Sequence, residues 1–174
     1  MIFSLLKNKK GFSLIEILVA FVIITTSIVA IFSLVVQNIQ VQKVNKDFLV
    51  ASMLAQEGLE LVRSIRDENW LDLANPGTWD GIDDTDDTFS VDYNYTIDRT
   101  PNVVSDGGAQ LYFDTNKFYT HNSTAPNVAT QFYRMIKIDD ATAPTYISVS
   151  SHVQWKVNGV TKNYIAETLL YDWR

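Results

Sequence analysis

From Phe12 to Val36 the chain is apolar on every side of any helix it could form, and Glu16 is the one ionisable residue in the run. Ile17 to Val36 gives 20 consecutive uncharged positions. At about 1.5 Å per helical residue these reach roughly 30 Å, the thickness of a hydrocarbon core. After Gln37 the pattern becomes one-sided. Val41, Val44, Phe48, Ala51, Ala55, Gly58, Val62 and Ile65 recur at steps of three and four, which puts them on one helical face. Lys43, Lys46, Asp47, Glu57, Glu60, Arg63 and Arg66 are expected mostly elsewhere around the helix, with Glu57 and Glu60 as partners for Arg63. No proline precedes Pro76, and Gly58 is the only glycine between Phe12 and Pro76. The spacing therefore predicts one continuous helix from about Phe12 to about Asn69, over ~80 Å at about 1.5 Å per residue. That exceeds a bilayer, so its outer half must pack on something.

The pattern then changes period. "NPGTWDGIDDTDDT", Asn75 to Thr88, is dense in turn residues and ends the helical region. "TFSVDYNYTID" alternates, with Phe89, Val91, Tyr93, Tyr95 and Ile97 on one side, and reads as a half-buried strand. Ala109–Phe113 and Lys117–Thr120 are short strand candidates, and Thr130–Ile138 is a longer one. "TYISVSSHVQWKV" puts Ile147, Val149, Val153, Trp155 and Val157 on one face. Asn158-Gly159 then marks a type I′ hairpin turn, and a return strand runs from Val160 to about Tyr171. The predicted class is α+β: a long N-terminal helix whose second half packs on a C-terminal antiparallel sheet.

Charge adds a direction. The formal net charge is −6, and without Lys7, Lys9 and Lys10 before the apolar run it would be −6 − 3 = −9. An acidic body lacks the Lys/Arg density that phosphate backbones require, so nucleic acid is not an expected partner. The leading lysines place that end of the span in the cytoplasm and the body outside. A cleaved secretory signal is disfavoured, because the run is longer than about 7–15 residues and no A-x-A-like site follows it. There is no cysteine, hence no disulfide framework or thiolate metal site. His121 and His152 are 31 residues apart and make no metal motif. No nucleophile motif or phosphate loop is present, so no enzyme is expected.

"KKGFSLIEILVA" resembles the type IV prepilin signature: a basic leader, Gly11, the aromatic Phe12, then Glu16 as the fifth residue beyond the junction. The order of parts behind it extends the resemblance along the chain: leader 1–11, membrane-spanning or filament-core helix 12–36, amphipathic extension 37–70 and β-rich head 71–174. "AQEGLELVRSIRDENW" and the terminal "YDWR" are similar to minor pilins or pseudopilins more than to major pilins. The resemblance implies cleavage between Gly11 and Phe12 by a prepilin peptidase and methylation of the new Phe12 amine. Lys7, Lys9 and Lys10 would hold the junction on the cytoplasmic face. It implies other pilin or pseudopilin subunits, an inner-membrane assembly platform and the lipid bilayer as partners, and a place in a type IV pilus or type II secretion-like filament. Two departures stand out. "ITTSIVAIFS" has neither Gly nor Pro, where many major pilins carry helix breakers. The disulfide loop of many pilins is impossible here.

Glu16 taken alone fits a carboxylate snorkelling to the membrane edge. With Gly11, Phe12 and the lysines at the right spacing, it fits a partner for the amine of a neighbouring subunit. Such a pair sets register more than stability, because desolvation offsets much of its Coulomb gain while breaking it strands a buried charge at about 3–5 kcal/mol. Asp83, Asp84, Asp86 and Asp87 are candidate calcium ligands in an acidic loop, and some pseudopilins carry a calcium loop. Their spacing fits no EF-hand, and a solvated loop is the commoner explanation. No other cofactor is expected. The alternative function is an unprocessed, single-pass, membrane-anchored extracytoplasmic binding protein.

Overall fold

The computed structural model describes residues 11–71, 87–93, 97–98, 101, 103–139 and 146–171. Its first element, α1, runs over Leu14–Leu71, 58 residues, two residues from each predicted end. The strands are β1 Asp87–Val91, β2 Ile97–Asp98, β3 Gln110–Phe113, β4 Tyr119–Thr120, β5 Val128–Asp139, β6 Tyr146–Val157 and β7 Val160–Tyr171, with one 3-10 turn at Gly107–Ala109. The α+β class expected from the pattern is the class found. The chain divides into unit 1, Met1–Val44, and unit 2, Asn45–Arg174.

In unit 1 the described side chains are almost all exposed, including Phe21, Val22, Ile23, Ile24 and Phe32. A helix that is apolar all round without protein neighbours is suited to lipid. This stretch is long and apolar enough to cross a membrane. Its hydroxyls need nothing outside the helix. Thr25 Oγ1 donates to the Phe21 and Val22 carbonyls at 2.9 and 3.0 Å, and Thr26 Oγ1 to those of Val22 and Ile23 at 2.9 and 3.0 Å. Ser27 Oγ donates to the Ile23 carbonyl at 2.7 Å. Such back-bonding bends a helix mildly without breaking it.

In unit 2 the helix buries one face against an antiparallel sheet. β5 is its centre: β6 pairs along one side, while β1 and β3 share the other, with β2 beyond β1 and β4 beyond β3. β7 pairs with β6 through an unbroken register from Tyr146↔Tyr171 to Val157↔Val160. Asn158 (φ 50°) and Gly159 (φ 79°) both take the left-handed region that a type I′ turn demands. Phe48 packs edge-on against Trp155 and Tyr164, while Gly58 lies against Ser151. β6 therefore runs against this part of α1, and β5 and β7 run with it. The core joins Leu59, Leu61 and Val62 of the helix to Phe89, Val91, Ile136, Ile138, Ile147, Val149 and Leu170 of the sheet.

Three expectations need correction. The alternating run from Phe89 is not one strand: β1 stops at Val91, and the chain returns so that Ile97 pairs with Val91 and Asp98 with Ser90. Just past the stop, the Asp92 carboxylate accepts from Thr120 Oγ1 and the His121 amide. The buried helix face is wider than Ala51, Ala55, Gly58 and Val62, adding Leu54, Leu59 and Leu61, while Val41 is exposed. Asp47 and Arg66, expected off that face, are buried. Arg66 bonds Asp67 and lies 4.7 Å above the Trp70 ring, which gives its guanidinium a cation–π partner. Arg63 does pair with Glu60, but Glu57 faces the guanidinium of Arg134 across the interface at 3.4 Å.

Candidate processing and assembly site

The start of α1 is set by three residues. The Ser13 carbonyl accepts the Glu16 and Ile17 amides at 3.0 and 3.2 Å, so Ser13 sits at the N-cap. Glu16 is then the third helical residue. A carboxylate in the first turn is favoured by the unpaired amides and the helix dipole. Ser-x-x-Glu is also the spacing of a capping box. The sequence reading passed over Ser13 although that signal was legible in "SLIE".

Gly11 and Phe12 precede the helix in non-helical backbone, and Phe12 is 78% exposed. A Cβ built on Gly11 meets nothing within 4 Å. The chain itself therefore does not require glycine here, and any requirement must come from a molecule that grips the junction. Phe12, Glu16 and Ala20, one helical turn apart, line one shallow groove with Ile17, Phe21 and Ile24. Phe12 and Glu16 thus share one exposed apolar surface. Lys7, Lys9 and Lys10 lie outside the described residues.

A polar cluster in unit 2 has the geometry of a fastening. Arg134 is wholly buried; its Nη1 donates to the Leu54 carbonyl at 3.3 Å and its Nη2 to the Val91 carbonyl at 2.7 Å. It thereby ties helix, β1 and β5 together. Burial pulls the guanidinium below its ordinary value, opposed by Glu57 and Asp92. Asp92 accepts from Thr120 Oγ1 at 2.8 Å and from the His121 amide at 2.6 Å. His121 Nδ1 lies 2.9 Å from the same carboxylate, and its Nε2 lies 3.2 Å from the Arg134 carbonyl. Burial pushes Asp92 up, but the bonds from His121 and Thr120 outweigh it and leave the carboxyl below its usual range. Burial, with Glu57 and Asp47 adding to it, raises Tyr119. Burial also lowers His152, with Lys137 in the same sense and Glu167 against. Arg134, Asp92 and His121 bond backbone and one another, while His152 Nε2 lies 3.0 Å from Ser150 Oγ on the same strand.

Among the described residues no group of three or more His, Asp or Glu side chains is placed to hold a metal. The candidate calcium ligands Asp83, Asp84 and Asp86 lie outside the described residues, and Asp87 opens β1. Residues 6–36 match the family model of the prokaryotic N-terminal methylation motif, the type IV prepilin signature. No curated protein and no solved structure matches the chain.

Proposed function

We propose that this type IV pilin-like prepilin, whose motif marks it for a prepilin peptidase and for assembly with other pilins, is a minor pilin or pseudopilin of a type IV pilus or type II secretion-like filament. The motif points to a structural subunit, not an enzyme, and the apolar helix to membrane anchoring. In this reading residues 1–11 are removed as a leader, Phe12 carries the methylated amine, 12–36 enter the filament core, 37–70 extend the helix, and 71–174 form the extracytoplasmic head. Lys7, Lys9 and Lys10 hold the junction at the cytoplasmic face. The inner-membrane platform then takes the processed chain.

One observation carries the reading: Phe12 and Glu16 lie on the same exposed groove at the free end of an apolar helix. An amine created at Phe12 and a carboxylate at Glu16 are opposite charges on a surface that is exposed among the described residues. Neighbouring copies at the correct stagger satisfy both. A wrong stagger leaves a buried charge alone, at about 3–5 kcal/mol.

Intact mass of the membrane-extracted chain tests the processing. Gly11→Val should abolish cleavage and leave full-length protein in the membrane at normal levels, since the chain has open space at that position. Chains that still begin at Phe12 would refute the junction. An uncleaved parent would instead support the anchored binding protein. Glu16→Gln tests the pairing: it should leave insertion and cleavage intact and deplete the subunit from sheared filaments. Equal incorporation would return Glu16 to membrane-edge snorkelling.

A further inference from the structure

Three chain segments of unit 2 end at one place. Phe113 of β3 pairs with Val128 of β5, and Tyr133 of β5 pairs with Gln154 of β6. Val128, five residues before Tyr133, is therefore level with the Asn158-Gly159 turn, five residues after Gln154. The loop joining β3 to β4, residues 114–118, projects from the same end. It is held in shape by Asp114, whose Oδ1 accepts the Asn116 and Phe118 amides, both at 2.8 Å. This is also the end at which the chain enters the unit, because Phe48, three residues after Asn45, packs edge-on against Trp155 and Tyr164.

The surface there has a composition unlike the rest of the chain. Phe118 is 58% exposed, Val160 56% and Val128 64%. Phe118 is propped by the Tyr93 ring at 5.8 Å. Lys117 in the loop and Lys156 and Lys162 beside the hairpin turn, on opposite faces of the sheet, are all exposed at this end, with Lys46 on the helix. Among the described residues, the acidic groups toward this end are Asp114, occupied by loop amides, Asp92, engaged by Thr120 and His121, and Asp47, buried. A chain of net charge −6 thus places an excess of lysines beside exposed aromatic and aliphatic tips.

We propose that this end of unit 2 docks on the bilayer: Phe118 and Val160 enter the interfacial layer, while Lys117, Lys156 and Lys162 meet anionic headgroups. Apolar tips flanked by lysines are the chemistry of an interfacial anchor. The length of chain argues for lipid over any diffusing partner. Only residues 37–44 separate the apolar run from unit 2. At no more than about 3.5 Å each, they keep this end within roughly 28 Å of the membrane. Tethering on that scale makes even a weak surface contact effective. The proposal rests on the reading of the apolar run as a membrane anchor. Before assembly, docking would hold the head of each subunit at its own membrane.

The chain has no cysteine, so Phe118→Cys and Val160→Cys each give a single site for an environment-sensitive fluorophore. The full chain is reconstituted into phosphatidylcholine vesicles with or without phosphatidylglycerol, and quenching by headgroup-spin-labelled lipid is read. Quenching should rise several-fold with phosphatidylglycerol and collapse in salt near 1 M, where the Debye length is about 3 Å. Each of Lys117→Gln, Lys156→Gln and Lys162→Gln should weaken it by up to about fivefold, with unchanged near-ultraviolet circular dichroism. Reporters unquenched in both lipids, or quenched equally in the lysine variants, would overturn the docking surface. So would reporters shielded only at high protein-to-lipid ratio, which would assign this end to a second copy. A chain that fails to float with vesicles would overturn the membrane anchor and the docking together.

Discussion

Unit 1 and unit 2 use apolar side chains in opposite ways. In unit 1 Ile, Val, Leu and Phe point outward all round, and the only internal fastenings among the described side chains are local, as in Thr25 to Ser27. In unit 2 the helix narrows its apolar residues to one face, and that face is closed by β1, β5, β6 and β7. Helix propensity is lower in the first stretch, which is dense in Ile and Val, yet both are helical. What differs is where the desolvation free energy comes from: lipid or a neighbouring copy for the first, the chain's own sheet for the second. A residue's hydrophobicity therefore says little about its role here until the surroundings of its helix face are known.

The largest test of this contrast is the same substitution in both units. Ala55 has no exposed surface, so Ala55→Glu buries an unpaired carboxylate. It should cost the head about 3–5 kcal/mol in thermal melts of the detergent-solubilised chain. Ala20→Glu should leave that melt in place and instead reduce membrane retention, by about 2.5–3.5 kcal/mol on an insertion scale. If both variants shifted the same assay, the contrast would be broken. Gly58→Ala comes next. Its Cβ would stand 2.7 Å from Ser151 Oγ and 2.8 Å from Ile136 Cδ1. Overpacking of that kind should lower stability by about 1–3 kcal/mol.

Acid gives a smaller, graded effect confined to unit 2. Asp92 binds its proton less readily in the folded head than in the unfolded chain. Its stabilisation is therefore complete above the unfolded value and is lost as pH falls through the lower folded value. Melting temperature should drop as pH is taken from about 5 toward about 2, and Asp92→Asn should flatten that drop. An unchanged slope would remove Asp92 from the account. Smallest of all, Lys46→Glu changes an exposed residue outside the core and should move the head's stability by under about 0.5 kcal/mol.

Features that repeat along the chain could be read from it. The helix came from a spacing held over many turns, and the β6–β7 hairpin from alternation bracketing Asn158-Gly159. The methylation motif, too, rests on residues adjacent in sequence. What stayed hidden depends on partners far away. Arg134 stands in "TQFYRMIKI" as an ordinary strand residue, and its burial follows only from the carbonyls of Leu54 and Val91 and the carboxylate of Glu57. Asp92 and His121 are 29 positions apart, and nothing local announces their contact. The turn after Val91 lacks glycine and proline, so the alternation through Tyr93 and Tyr95 ran on past the true end of the strand. Asp47 and Arg66 are expected mostly off the apolar face by helical spacing, yet both are buried, because the buried face of the helix is wider than the apolar stripe.

The alignment of strands with helix in unit 2 has a mechanical consequence. β5, β6 and β7 lie along the helix axis, so a pull applied along α1 loads the helix–sheet interface in shear. Rupture in that geometry requires Gly58, Val62, Leu59 and the Arg134 bridge to slip together, not to peel one after another. Arg134 reaches carbonyls on both sides of the sliding plane. Tension entering unit 2 along its part of the helix is thereby passed to the sheet at mid-interface.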